Sequence, residues 1–258
     1  MNTPKIIFSI AEKAGISKAA LSTRKTLYQS FLAGAYITIG GAFSLIVGYG
    51  FTEITSGNPG LQRILSGAVF PLGLILVVFL GAELFTGNCA ILIPGLMSRK
   101  ISPGSLFRNW GLVYLGNFVG ALCVAYFLMH LAGVSAAEPW HTDIRNIALI
   151  KTTIPWWKVF LRGIGANWLV CLAIWLGYAS TSAIGKIIGL WFPVCCFVAL
   201  GFEHSVANMF FIPLGMMEGA PVGIIPFLWN NLLPSTLGNI AGGGFFVGFL
   251  YGKIFIGS

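Results

Sequence analysis

Two short stretches hold the residues best placed to do chemistry: Gly201-Phe-Glu-His-Ser-Val-Ala-Asn208 and Gly81-Ala-Glu-Leu-Phe-Thr-Gly-Asn88. Each puts a carboxylate two residues after a glycine, inside a long apolar run. A histidine in that setting can donate a hydrogen bond to an anion or hand it a proton, and its charge changes near neutral pH. Of the three histidines only His204 is so placed, because His130 and His141 fall at the end of an apolar run and in the segment after it. Glu203 cannot itself welcome an anion. It can hold a positive group, with Lys151 the candidate, or accept hydrogen bonds from Asn167; alternatively, Glu83 and Glu203 satisfy backbone donors freed where a helix breaks. Thr86, Asn167 and Asn239 are polar positions at a depth suited to a pore, and Asn117 and Asn239 can equally tie helices together. Phe70, Leu74, Leu84 and Phe197 flank the two stretches and would serve either as apolar constrictions or as ordinary packing.

The elements that carry these residues follow from composition. The chain has 258 residues, 57% of them hydrophobic and 9% charged, with a mean hydropathy of +0.87. A soluble domain carries about a quarter charged residues, whereas a bilayer core needs ~20 consecutive apolar residues per helical span. Six apolar segments meet that need, at about 27–51, 61–98, 106–133, 156–178, 186–216 and 225–256. The second and fifth are longer than one span and contain the two polar stretches, so both are expected to be broken helices that line a cavity. The net charge of +8 is scattered through loops and segment ends, which excludes a nucleic-acid stripe. Cys89, Cys123, Cys171, Cys195 and Cys196 lie in apolar runs without metal-ligand spacing and are expected to be buried free thiols. No nucleophile elbow, Walker loop, zinc-protease helix or dinucleotide fingerprint appears in a supporting context, so neither enzyme chemistry, a metal nor a cofactor is expected. Residues 1–26 lack the continuous apolar core of a cleaved signal peptide and form a retained tail. Within it Ile6, Ile7, Ile10 and Ala14 share one side, which predicts an amphipathic helix lying on a surface.

The chain also repeats itself. Gly81-x-Glu83-x4-Asn88 returns 120 residues later as Gly201-x-Glu203-x4-Asn208, and Asn109, Asn117 and Gly120 return 122 residues later as Asn231, Asn239 and Gly242. Phe31-Leu-Ala-Gly34 aligns with Phe160-Leu-Arg-Gly163 at a separation of 129. Two halves of three spans each enter the membrane from opposite sides, which makes an inverted repeat over about 27–133 and 156–256. Lys and Arg number ten on the side holding the tail and five on the other, so both termini are expected in the cytoplasm.

These same motifs resemble a known family. Gly201-Phe-Glu-His-Ser-Val-Ala-Asn-Met-Phe210, Gly81-Ala-Glu-Leu-Phe-Thr86, Asn167-Trp-Leu-Val-Cys-Leu-Ala-Ile-Trp175 and Thr236-Leu-Gly-Asn-Ile240 closely resemble signatures of the formate/nitrite transporter family, and the likeness covers almost the whole chain. The resemblance implies an all-α, aquaporin-like six-helix membrane protein assembled as a homopentamer, with one pore per subunit, in the cytoplasmic (inner) membrane. It implies a tail (1–26) and a single channel domain (27–258) that passes small monovalent anions, formate foremost, with nitrite or hydrosulfide as alternatives and protons as a second partner. It maps the central histidine to His204 with Thr86 and Asn239 as its hydrogen-bond partners. Leu74 falls at the cytoplasmic slit, Phe70, Leu84 and Phe197 at the outer slit, and Lys151 as the anion-drawing lysine near Glu203 and Asn167. In family members the N-terminal helix is implicated in pH-dependent gating.

Overall fold

A computed structural model describes residues 1–256; residues 257–258, the end of the expected channel domain, lie outside the described residues. The elements are α1 (Pro4–Ala19), α2 (Thr23–Tyr49), α3 (Pro59–Phe79), α4 (Phe85–Met97), α5 (Pro103–Leu131), α6 (Trp140–Thr153), α7 (Trp156–Ala179), α8 (Ala183–Ala199), α9 (Ser205–Met217) and α10 (Pro226–Phe255). Five of them, α2, α3, α5, α7 and α10, are long and apolar enough to cross a membrane. At 1.5 Å per residue the 13-residue helices α4 and α9 reach only about 20 Å, so each completes a span begun by the helix before it. The protein is a multi-pass membrane protein of six spans whose second and fifth are broken, as the apolar runs predict.

The two breaks are built alike. Helices α3 and α8 end on Gly81 and Gly201, both at φ +70, the left-handed region that glycine enters without a Cβ penalty. Ala82 N–H closes on Val77 O at 2.9 Å and Phe202 N–H on Phe197 O at 3.1 Å, capping carbonyls that have no water to turn to. The chain then runs extended for a few residues before α4 and α9 begin.

Close helix contact holds each half together. A Cβ on Gly34 would collide with the Asn117 backbone, and one on Gly120 with the Phe31 carbonyl; Gly238 and Gly242 meet the Phe160 and Ile164 carbonyls in the same way. Gly120 with Phe31 and Gly242 with Ile164 are therefore equivalent contacts, and they place the first spans of the two halves at a separation of 133. The separation of 129 read from Phe-x-x-Gly is one helical turn out of register. Residues four apart share a helix face, so a two-residue pattern recurs one turn away.

Helix α1 is docked rather than surface-lying; of its predicted apolar side, Ile7 and Ala14 pack against the buried cluster that holds Ala11, Ile91 and Trp175. Ile6 is exposed, and the buried stripe is Phe8, Ala11, Gly15 and Ala19, which lies against α4 with Gly15 on the Ile91 backbone. Small residues set that face because they let the two backbones approach. The start of α1 and the end of α10 lie together: the Phe8 and Phe255 rings are 5.8 Å apart, and Asn2 donates to Tyr178 O beside the α7–α8 link. The expectation of buried thiols holds for Cys89 and Cys171, but Cys196 faces outward. Gly120→Ala should destabilise the fold by about 1–3 kcal/mol through overpacking, read as a lower Tm in detergent. Gly111→Ala, with nothing near its Cβ, should leave Tm unchanged.

Candidate functional site

Each break is fastened by one asparagine from the third span of its own half. Asn117 accepts from Phe85 N–H at 2.9 Å and donates to Glu83 O at 2.9 Å and Ser30 O at 2.8 Å. Asn239 accepts from Ser205 N–H at 2.8 Å and donates to Glu203 O at 2.9 Å and Gly163 O at 2.8 Å. Three of the four hydrogen-bonding sites of each amide are thereby filled by backbone groups that would otherwise be bare in a dry interior. Asn239 was expected to bond His204; it grips the backbone on either side of it instead.

Both carboxylates are buried and paired. Lys151 Nζ lies 3.0 Å from each Glu203 oxygen, and Asn208 and Asn231 donate to Glu203 Oε2 at 2.7 and 3.2 Å. In the other half Lys18 Nζ reaches Glu83 Oε1 at 2.5 Å, with Asn88 donating to Oε2 at 2.7 Å. The pairing of Glu203 with Lys151 agrees with the sequence reading. Asn167, the alternative, does not reach Glu203; it donates to Thr86 O at 3.0 Å and Asn239 O at 2.6 Å and so links the two halves. Lys18, Asn88 and Asn208 were missed as partners of the acids. The signal was present, because Lys18 precedes Lys151 by 133, the same separation as the first spans.

At the centre the two breaks meet. Thr86 Oγ1 and His204 Nε2 are 3.0 Å apart, and His204 Nδ1 accepts the Ala207 N–H at 3.1 Å, which caps α9. An Nδ1 that accepts leaves the ring proton on Nε2, so the Nε2–H points to Thr86. The ring stacks on Phe197 at 5.8 Å, and Phe70 meets Phe197 edge-on at 5.7 Å. The repeat counterparts of His204 and Thr86 are Leu84 and Val206. Leu84 has nearly the same backbone, φ −104 and ψ 125 against −103 and 115 for His204, but no polar atom. The scaffold is symmetric and its chemistry is not.

Two cavities flank this centre. One of about 300 Å³ is lined by Phe70, Phe197, Glu203, His204 and Lys151, with Arg63 and Arg162 adding positive charge. The other, about 180 Å³, is lined by Lys18, Val77, Leu84, Asn88 and Tyr178. Leu84 therefore lies on the Lys18 side rather than with Phe70 and Phe197, because its place in the repeat is that of His204 seen from the opposite face. Leu74 lines neither cavity and is buried in the core. Among the described residues no group of three His, Cys, Asp or Glu gathers to hold a metal ion.

With each acid neutralised by a lysine, the charge left at the centre is that of two facing helix N-termini, each favouring an anion by about 0.3–1 kcal/mol and more when dry. Substituting Asn239→Ala strips partners from Ser205 N–H, Glu203 O and Gly163 O. At about 1–3 kcal/mol per unpaired buried group, this should lower Tm well beyond the effect of Asn230→Ala, which loses one contact with Thr152 O.

The likeness to known proteins covers almost the whole chain. The sequence profile of the formate/nitrite transporter family matches residues 5–252. A protein named probable formate transporter from Methanothermobacter thermautotrophicus is 46% identical over 97% of this chain and 94% of its own length. A solved structure titled FNT family ion channel superposes with a TM-score of 0.87 at 31% identity, covering 96% of this chain and 98% of the other. Another, titled pentameric formate channel with formate bound, does so at 0.79 and 35% identity, covering 91% and 98%.

Proposed function

The chain belongs to the formate/nitrite transporter family, a family of transporters and not of enzymes, and we propose that it is a passive or proton-coupled channel for small monovalent anions, formate foremost. The observation that carries this reading is the His204 Nε2–H, held beside Thr86 between two helix N-termini at the wall of a positively lined cavity. An anion is drawn by Lys151, Arg63 and Arg162, sheds water against Phe70 and Phe197, and exchanges hydration for the hydrogen bonds of His204 and Thr86. It leaves past Leu84 toward Lys18. Because Nδ1 is occupied by the Ala207 N–H, His204 acts here as a hydrogen-bond donor; passing on its Nε2 proton first requires Nδ1 to give up the cap and take a proton.

The same reading places Glu203 and Asn167 as supports, one holding Lys151 and the other tying the halves at Thr86. The excess of Lys and Arg on the face of the termini supports a cytoplasmic location for both ends in the inner membrane. Assembly as a homopentamer is supported by the pentameric relative, and one pore in each subunit by the two cavities that flank His204 and Thr86 within a single chain. The channel body begins at residue 27, and the tail of residues 1–26 is docked on it through α1.

In proteoliposomes at pH 6, His204→Phe should cut formate flux at least about tenfold, the scale of one strong buried hydrogen bond, and Thr86→Val should cut it less. Undiminished flux in His204→Phe would overturn the mechanism. Competition by nitrite and hydrosulfide in the same assay ranks the permeants; formate should compete most strongly.

A further inference from the structure

The two cavities differ in charge although the repeat builds both. Lys18 and Lys151 are each cancelled by a glutamate, Glu83 and Glu203, so neither lysine leaves its cavity positive. Beyond that pair no charged residue lines the Lys18 cavity among the described residues. The Lys151 cavity also holds Arg63, near the start of α3, and Arg162 on α7. Among the described residues neither guanidinium takes part in an ion pair or gives a hydrogen bond. Asp143 and Arg63 both lie close to Tyr49, but no ion pair joins them, so Asp143 offsets part of the Arg63 field and leaves its N–H donors free.

Arg162 is rooted at the break itself. Its carbonyl accepts Glu203 N–H at 3.3 Å, as the carbonyl of Gln29 accepts Glu83 N–H at 3.1 Å in the other half. The two positions are 133 apart, the separation that also relates Lys18 to Lys151. The fastening duty is therefore met by backbone in both halves, and the side chain is free to differ. It is a neutral amide at 29 and a guanidinium at 162. Arg162 is half-buried, and a charged group withdrawn from water without a partner is costly. Nothing in the packing of the break requires that cost, whereas an anion in the cavity would offset it.

We propose that Arg162 and Arg63 form a first binding site for a planar oxyanion, a carboxylate above all, between the mouth of the Lys151 cavity and His204, and that the Lys18 cavity has no such site. The inference rests on the reading that His204 and Thr86 hold the permeating anion. A guanidinium presents paired N–H donors in a plane, which match the two oxygens of a carboxylate, whereas an ammonium acts as a point charge. The one ammonium in this cavity is already committed to both oxygens of Glu203. Arg63 is exposed and Arg162 half-buried beside the break, so an anion entering here meets Arg63 first and Arg162 next, one step from His204. Entry from the opposite side has no counterpart to this stage.

The test follows formate binding to the purified protein in detergent, by saturation transfer to the formate C–H proton, and formate uptake into proteoliposomes. A separate first site predicts that His204→Phe still binds formate. Adding Arg63→Gln and Arg162→Gln to that variant should raise the dissociation constant about two- to fivefold for each arginine, the scale of a partly exposed ion pair. Absence of binding to His204→Phe, or binding that the arginine substitutions leave unchanged, overturns the proposal. With His204 in place, the two arginine substitutions should raise the half-saturation concentration for uptake by the same factor and keep maximal flux; an unchanged half-saturation concentration overturns the site as well. Arg162→Lys keeps the charge and loses the planar fork, so it should leave that concentration raised, and full restoration would overturn the assignment to a planar oxyanion. Should the paired substitution fail to assemble, Arg63→Gln alone, at an exposed position, decides it by the same shift for one arginine. Undiminished flux in His204→Phe overturns the permeation reading instead, and the binding measurement then decides the arginine site by itself.

Discussion

A helix that stops half-way through a membrane leaves N–H and C=O groups with no water to satisfy them, and each costs several kcal/mol if left bare. Everything at the centre of this protein depends on how that cost is met. Asn117 and Asn239 each satisfy three backbone groups, one on the entering strand, one on the restarting helix and one on the neighbouring span. The close glycine contacts of α2 with α5 and α7 with α10 bring those asparagines within reach. A broken helix is then stable enough to aim its N-terminus at the midplane, and two such breaks aim at each other.

The buried acids follow from the same economy of charge. Glu83 and Glu203 alone would repel an anion, and a lone buried charge is costly. Paired with Lys18 and Lys151 and supported by Asn88 and Asn208, each becomes neutral overall while keeping a lysine beside a cavity. The inverted repeat makes two of everything except the chemistry: His204 and Thr86 touch across the centre, whereas their counterparts Leu84 and Val206 are apolar. The hydrogen-bond donor opens to the Lys151 cavity, and the Lys18 cavity ends on Leu84.

Much of this was legible in the residues. The length of the second and fifth apolar runs, with Gly-x-Glu inside them, gave the breaks, and the separation of 120 gave the halves. His204 stood out as the only histidine in such a setting. The role of Asn239 was not legible, because an amide's partners are fixed by which backbone the tertiary fold brings near. Nor was the side on which Leu84 lies, since that requires knowing that it is the repeat counterpart of His204. Helix α1 misled the hydropathy pattern: its docked face is Ala11 and Gly15, small residues whose value is close approach rather than apolar area. Extending the repeat into the tail at a separation of 133 would have found both the docking and Lys18.

The central claim is that the anion is held between the two breaks at His204 and Thr86. A structure of the protein determined with formate present tests it most directly. The account predicts density for one anion per subunit within hydrogen-bond distance of His204 Nε2 and Thr86 Oγ1. Anion density confined to the axis between subunits, with the His204 site filled by side chains alone, would contradict it.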